Sequence, residues 1–176
     1  MKSISAEEIV RIASTVAIQE YERQRQQEEK KKLDRRLHNT KLLLKNYRGF
    51  KLHCMEIQDE LLELESPERE IMACLDSDEF ALESIKHSKK RTLAIVRFID
   101  KMLEVYEVLC QKDTEAVSQR YFDTIKKLYI DEPKMTFKQV AECHSVDTRT
   151  VRRDVEKAVG ALTALMFGVD GIRFKN

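Results

Sequence analysis

Tryptophan is absent from the 176-residue chain, glycine occurs four times and proline twice. Strand-rich folds need many tight turns, and tight turns draw on glycine and proline. Their scarcity excludes a turn-dense β architecture and favours long helices on short links. No apolar run approaches the roughly eighteen residues that a membrane-spanning helix requires, so no membrane partner is expected. Met1-Lys2-Ser3-Ile4 is not a basic segment leading into an apolar stretch, which argues against a secretory signal and for the cytoplasm. Cysteine is sparse as well. Cys54, Cys74, Cys110 and Cys143 are spread so widely that no pair has zinc-ligand spacing, and a disulfide framework is out of keeping with so charged a chain. Reduced, mostly buried thiols are the expectation. His38, His53, His87 and His144 have no partner at ligand spacing, because His53 and His144 merely adjoin Cys54 and Cys143. Glycine-rich phosphate loops and nucleophile elbows are missing too. The chain is therefore expected to be no enzyme, to bind no metal or cofactor and to take no small-molecule substrate.

What is abundant is charge, 36% of residues, almost balanced at a net +1. A bulk basic signature for nucleic acid is absent, but the balance is uneven along the chain. Residues 116–176 hold eleven Lys/Arg against eight Asp/Glu, or +3, and the remainder holds twenty-one against twenty-three, or −2. If any part meets a polyanion, it is the C-terminal part.

The pattern divides into a helical N-terminal region, 1–112, and a C-terminal domain, 113–176. From Ser5 to Tyr21, Ile9, Ile12, Ala13, Val16 and Ala17 recur at helical spacing, with Ser5 and Glu8 as a capping box. Residues 22–36 are nearly all charged or amide, and fit either an exposed helix or a linker. From Leu33 to about Leu64 the apolar stripe returns through Leu37, Leu44, Tyr47, Cys54, Ile57, Leu61 and Leu64. Such a stripe packs on another helix of the same chain or, alternatively, pairs with a second copy as a homodimer. Ser66-Pro67 ends it, and residues 68–88 read as a short helix and a polar connection. The basic run Lys86, His87, Lys89, Lys90 and Arg91 reads as a solvated helix end. A further helix, about Ser88 to Gln111, turns Leu93, Val96, Ile99, Met102, Leu103, Tyr106 and Leu109 inward.

The C-terminal third is the most informative. Asp113-Thr114-Glu115 opens a helix running to about Ile130, with Val117, Tyr121, Ile125, Leu128 and Tyr129 inward, and Asp131-Glu132-Pro133 stops it. Thr136 and Gln139 make a capping box, and Met135 and Val140 are placed for a hydrophobic staple. They mark a short helix, about Phe137 to Cys143, in which the small Ala141 allows a close crossing. After His144-Ser145-Val146, with Val146 as an apolar plug, Asp147 caps a second helix whose inward stripe is Val151, Val155, Ala158 and Leu162. On its opposite face Thr148, Arg149, Arg152 and Arg153 crowd the first turns. Like charges at helical spacing repel, and cations at a helix N-terminus oppose its dipole. A recognition helix accepts both, because its N-terminal turns enter the major groove, where arginine grips guanine or reaches phosphate. The competing reading is a helical hairpin whose arginines are neutralised by acids such as Asp154 or Glu156.

The stretch Tyr121-Phe122, Leu128-Tyr129-Ile130, Thr136 to Glu142 and Val146 to Asp154 resembles region 4 of bacterial sigma factors. It is more similar to the sigma-region-4-like regulators of phages and prophages in Gram-positive bacteria, of the ArpU and RinA type, which the tail Leu165-Met166-Phe167-Gly168 also resembles. The resemblance covers about a third of the chain. It implies an all-α fold ending in a helix-turn-helix, and control of transcription, such as activation of late genes, by binding double-stranded DNA near a promoter and RNA polymerase. The DNA contacts expected are Thr136, Lys138, Thr148, Arg149, Thr150, Arg152, Arg153 and Lys157. Residues 1–112 lack the aromatic-rich promoter-melting segment of a complete sigma factor, so promoter opening is not implied. The apolar second half of the recognition helix is expected to pack on the N-terminal helices or on a second subunit. A different class of function, a helical adaptor or anti-sigma-like protein that holds polymerase without touching DNA, is the alternative.

Overall fold

Helix is the only regular structure in the computed structural model, which describes residues 6–54 and 89–168; no strand occurs among them. Helix α1 spans Ala6–Cys54, α2 Lys89–Lys112, α3 Ala116–Ile125, α4 Phe137–His144 and α5 Thr148–Phe167, and a wider π-helical turn, Lys126–Ile130, continues α3. No helix among the described residues is long and apolar enough to cross a membrane. The chain separates into two units, Met1–Arg35 and Arg36–Asn176.

In the first unit, residues 6–35 are helical, and the charged run 22–35 is helix rather than linker. Its own spacing supports it: Arg23 pairs with Glu20 at 2.9 Å and Arg25 with Glu29 at 3.1 Å, one turn apart. Such exposed pairs stabilise a helix by about 0.3–0.5 kcal/mol each. The proposed Ser5 cap lies outside the described residues, as do Ile57, Leu61, Leu64, Ser66-Pro67, Cys74 and residues 68–88.

The second unit is organised around one core. Leu43, Leu44, Tyr47, Phe50 and Cys54 from residues 36–54 of α1 are buried with Leu93, Ile95, Val96, Ile99, Leu103 and Tyr106 of α2. Phe122, Ile125, Leu128 and Tyr129 join from α3 and the π turn, with Val140 and Ala141 from α4 and the stripe of α5. The stripe expected from Leu33 onward is buried at Leu44, Tyr47 and Cys54, the last of its positions among the described residues, with Leu37 half-buried. The real face is broader, because Leu43 and Phe50 complete it. In α2 one expectation fails. Leu109 is 49% exposed and Cys110 is buried at 5%. The packed face drifts round the helix by one position as it approaches α3, where the Tyr106 ring meets Phe122 edge-on at 5.9 Å. In α3, Phe122 takes the inward position while Val117 and Tyr121 are half-buried.

Polar bolts fix the helices in place. Tyr47 donates its hydroxyl proton to Asp100. Arg48 donates to the carbonyl oxygens of Leu128 (3.0 Å) and Asp131 (3.1 Å), which lie where the π turn ends and lack further helical partners. The second half of α5 packs against α1 as one of the two arrangements expected. The Thr163 hydroxyl donates to Thr40 (2.9 Å), which donates to the Arg36 carbonyl (3.0 Å), and the Arg36 guanidinium lies 5.1 Å from the centre of the Phe167 ring. Of the described cysteines, Cys54 and Cys110 are buried and Cys143 is exposed, all as free thiols. Burial pushes the Cys110 thiol upward from its ordinary pKa, keeping it protonated and inert.

Candidate nucleic-acid interface

Both ends of the α4–α5 link are set by local chemistry. Thr136 has extended backbone, its Oγ1 accepts from the Gln139 N–H (3.3 Å), and Gln139 Oε1 accepts from the Thr136 N–H (2.8 Å). The capping box is therefore complete, and two otherwise unpaired donors of the first turn are satisfied. Met135 and Phe137 are half-buried against the core beside fully buried Val140. Helix α4 ends at Ser145, whose φ of 54° puts it in the left-handed region. That turn lets the Val146 N–H donate to the Ala141 carbonyl (3.0 Å) and tucks the Val146 side chain partly into the core. Asp147 then caps α5: Oδ1 accepts from the Thr150 N–H (2.8 Å) and Oδ2 from the Thr150 hydroxyl (3.2 Å). The backbone hydrogen bond from Thr150 holds the Asp147 carboxyl below its ordinary pKa.

The buried stripe of α5 is the expected one. Val151 and Ala158 are fully buried, as is Leu162, with Val155 at 2% exposure. At about 100° per residue, Arg149 and Arg153 then point directly away from the core, with Arg152 on one flank and Lys157 on the other. Thr148, Arg149, Arg152, Arg153 and Lys157 are exposed, as are Thr136 and Lys138 on α4. Thr150 is half-buried and its hydroxyl is engaged by Asp147, so within the expected set it serves the cap. Lys157 stands at the edge of a groove of about 460 Å³ between α2, α3 and α5. The structure therefore gathers Thr148, Arg149, Arg152 and Arg153 onto one exposed face and leaves Lys157 at its margin.

Among the described residues, the two acids that a hairpin reading would pair with these arginines, Asp154 and Glu156, form no ion pair with them. Asp154, the acid nearest in sequence, is buried and turned the other way, where Arg120 of α3 grips it through Nε (2.8 Å) and Nη2 (3.1 Å). Arg152 has a different neighbour, since its guanidinium lies 5.0 Å from the centre of the Phe137 ring. This cation–π contact restrains Arg152 and ties α4 to α5, while Arg149 lies near enough to the capping Asp147 carboxylate to help hold it ionised.

Two residues here escape a reading of the sequence. Arg120 was legible in principle, because Asp154 falls on the inward stripe beside Val151 and Ala158 and a buried carboxylate requires a cation. Arg48 carries no such signal, since nothing in its spacing connects it to residues 127–131. No three described His, Cys, Asp or Glu side chains converge as a metal ion would require. No protein-family model matches the chain, and neither a curated protein nor a solved structure shows significant similarity to it.

Proposed function

We propose that the chain is a sequence-specific DNA-binding regulator of transcription, with α4 and α5 as a helix-turn-helix of the sigma region 4 kind. In this reading α5 lies in the major groove, Arg149 and Arg153 reach base edges, and Arg152, Lys138 and Thr136 meet the backbone. The regulator acts near a promoter with RNA polymerase, in the manner of phage and prophage late-gene activators. The observation that supports it is the exposed arginine cluster on the first turns of α5, with its nearest buried acid committed to Arg120. Cations at that helix end oppose the dipole and one another, and a polyanion placed against them adds attractions to the cations and to the dipole that offset both costs.

The test is duplex binding by the full chain, using promoter-length DNA flanking its own gene at two salt concentrations. Each good arginine–guanine contact is worth about 1–3 kcal/mol, so Arg149→Ala with Arg153→Ala weakens specific binding at least about tenfold, where about 1.4 kcal/mol is tenfold. The double variant narrows the gap between specific and non-specific duplexes, whereas Arg152→Ala with Lys138→Ala, at the backbone, flattens the dependence on salt. Equal affinities for wild type and variant sink the assignment. The adaptor reading draws on the exposed Val105, Val108 and Leu109 of α2. It expects co-purification with polymerase and no salt-dependent duplex binding.

A further inference from the structure

Residues 6–35 carry an apolar surface that nothing in their own unit covers. Val10, Ile12, Val16, Ile18 and Tyr21 are 56–68% exposed. At about 100° per residue, Val10, Ala13, Val16, Ala17 and Tyr21 share one face, with Ile12 at its edge. The polar side looks after itself, since Ser14 and Thr15 donate to the Val10 and Arg11 carbonyls at 2.9 Å. A helix with such a face and no partner is marginal in water, and contiguous exposed apolar surface marks an interaction site.

Charge selects the occupant and its direction. Residues 6–21 hold Glu7, Glu8 and Glu20 against Arg11, or −2, and residues 22–35 hold six Lys/Arg against four Asp/Glu, or +2. A second copy laid parallel sets like against like at both ends, whereas an antiparallel copy sets each acidic end beside a basic one. The small Ala13 and Ala17 in mid-face let two such helices approach closely, and in a register that opposes them Glu7 of one copy lies level with Arg23 of the other. We propose that residues 6–35 of two copies pair antiparallel through the Val10–Ala13–Val16–Ala17–Tyr21 face, making the protein a two-fold homodimer. The inference stands apart from the DNA-binding reading, because it uses none of the residues of α4 or α5.

Sedimentation equilibrium on the full chain tests it. The wild type sediments as two 20.7 kDa chains. Ile12→Gln with Val16→Gln keeps good helix formers on the exposed helix, leaves the urea transition of the core built on residues 36–168 unchanged, and raises the dimer dissociation constant at least tenfold. Val108→Gln, on the separate apolar patch of α2, leaves it unchanged. Glu7→Lys with Glu8→Lys weakens association, and adding Arg23→Glu with Arg25→Glu restores it. A monomeric wild type overturns the proposal, as does a dimer that survives the Ile12 and Val16 changes or yields to Val108→Gln. Failure of the second charge reversal to restore association overturns the antiparallel direction.

Discussion

Val151, Val155, Ala158 and Leu162 recur at steps of four, three and four and are all buried; Val10, Ala13, Ala17 and Tyr21 recur at steps of three, four and four near the other end of the chain and are all exposed. Apolar periodicity states which side of a helix wants cover, not whether the same chain supplies it. What separates the two regions is everything around the stripe. Helix α5 begins at a satisfied cap, meets Ala141 and Val140 at a close crossing, and sends a buried carboxylate to a waiting arginine. Residues 6–21 have exposed side chains almost throughout, and Ser14 and Thr15 turn their hydroxyls to carbonyls of their own helix.

The sharpest way to break this comparison is to remove the same kind of side chain from each. Leu162 is fully buried, and a buried leucine truncated to alanine loses its transfer free energy and leaves a cavity. Leu162→Ala therefore destabilises urea unfolding by about 2–5 kcal/mol. Ile12 is 56% exposed, and Ile12→Ala at sub-micromolar protein shifts the same transition by less than about 0.5 kcal/mol. Comparable losses from the two would mean that Ile12 is covered by its own chain.

A smaller effect separates the helix starts. Asp147 caps α5 with an ionised carboxylate that the Thr150 N–H holds below its ordinary pKa of 3.8. A folded-state pKa that is depressed stabilises the fold above the ordinary value, and the contribution is lost as pH falls through the folded value. Asp147→Asn keeps an acceptor at the cap at every pH. The advantage of wild type over Asp147→Asn is thus expected at neutral pH and vanishes on the acid side of pH 4 or so. An advantage independent of pH across that range refutes the charged cap.

Much of the second unit was legible in the sequence because its signals are local. The Thr136–Gln139 box, the Asp147 cap and the α5 stripe each depend on residues within one or two turns of one another, and each falls where the spacing put it. The breadth of the α1 face was not legible, since Leu43 and Phe50 are buried by helices distant in sequence. Leu109 misled because strict periodicity assumes that a helix keeps one face inward, whereas α2 turns towards Tyr106 and Phe122 near its end. Arg48 belongs to the same class, and so does the choice of Arg120 as the partner of Asp154, although the need of Asp154 for a cation was legible. Their partners lie some eighty and thirty-four residues away, and only the folded chain brings them together. On the candidate interface, spacing supplied which arginines share a face. The restraint of Arg152 by Phe137 and the diversion of Asp154 to Arg120 needed the packing of three helices.

The smallest effect tests the turn between α4 and α5. Ser145 adopts φ 54°, a conformation that costs an ordinary L-residue about 1–2 kcal/mol and glycine almost nothing. The Ser145 side chain is exposed and holds no hydrogen bond that glycine would forfeit. Glycine loses more backbone freedom on folding, which returns about 0.5–1 kcal/mol to the unfolded state. The difference leaves Ser145→Gly more stable by about 0.5 kcal/mol, read as a higher urea midpoint with an unchanged slope. Since the substitution alters no charge on α5 and keeps the Val146 N–H on the Ala141 carbonyl, duplex affinity should stay within about twofold, under 0.5 kcal/mol. A midpoint that falls instead would show that the left-handed turn depends on serine itself. An affinity lost while stability rises would place Ser145 on the DNA and extend the contact surface from α5 into the turn.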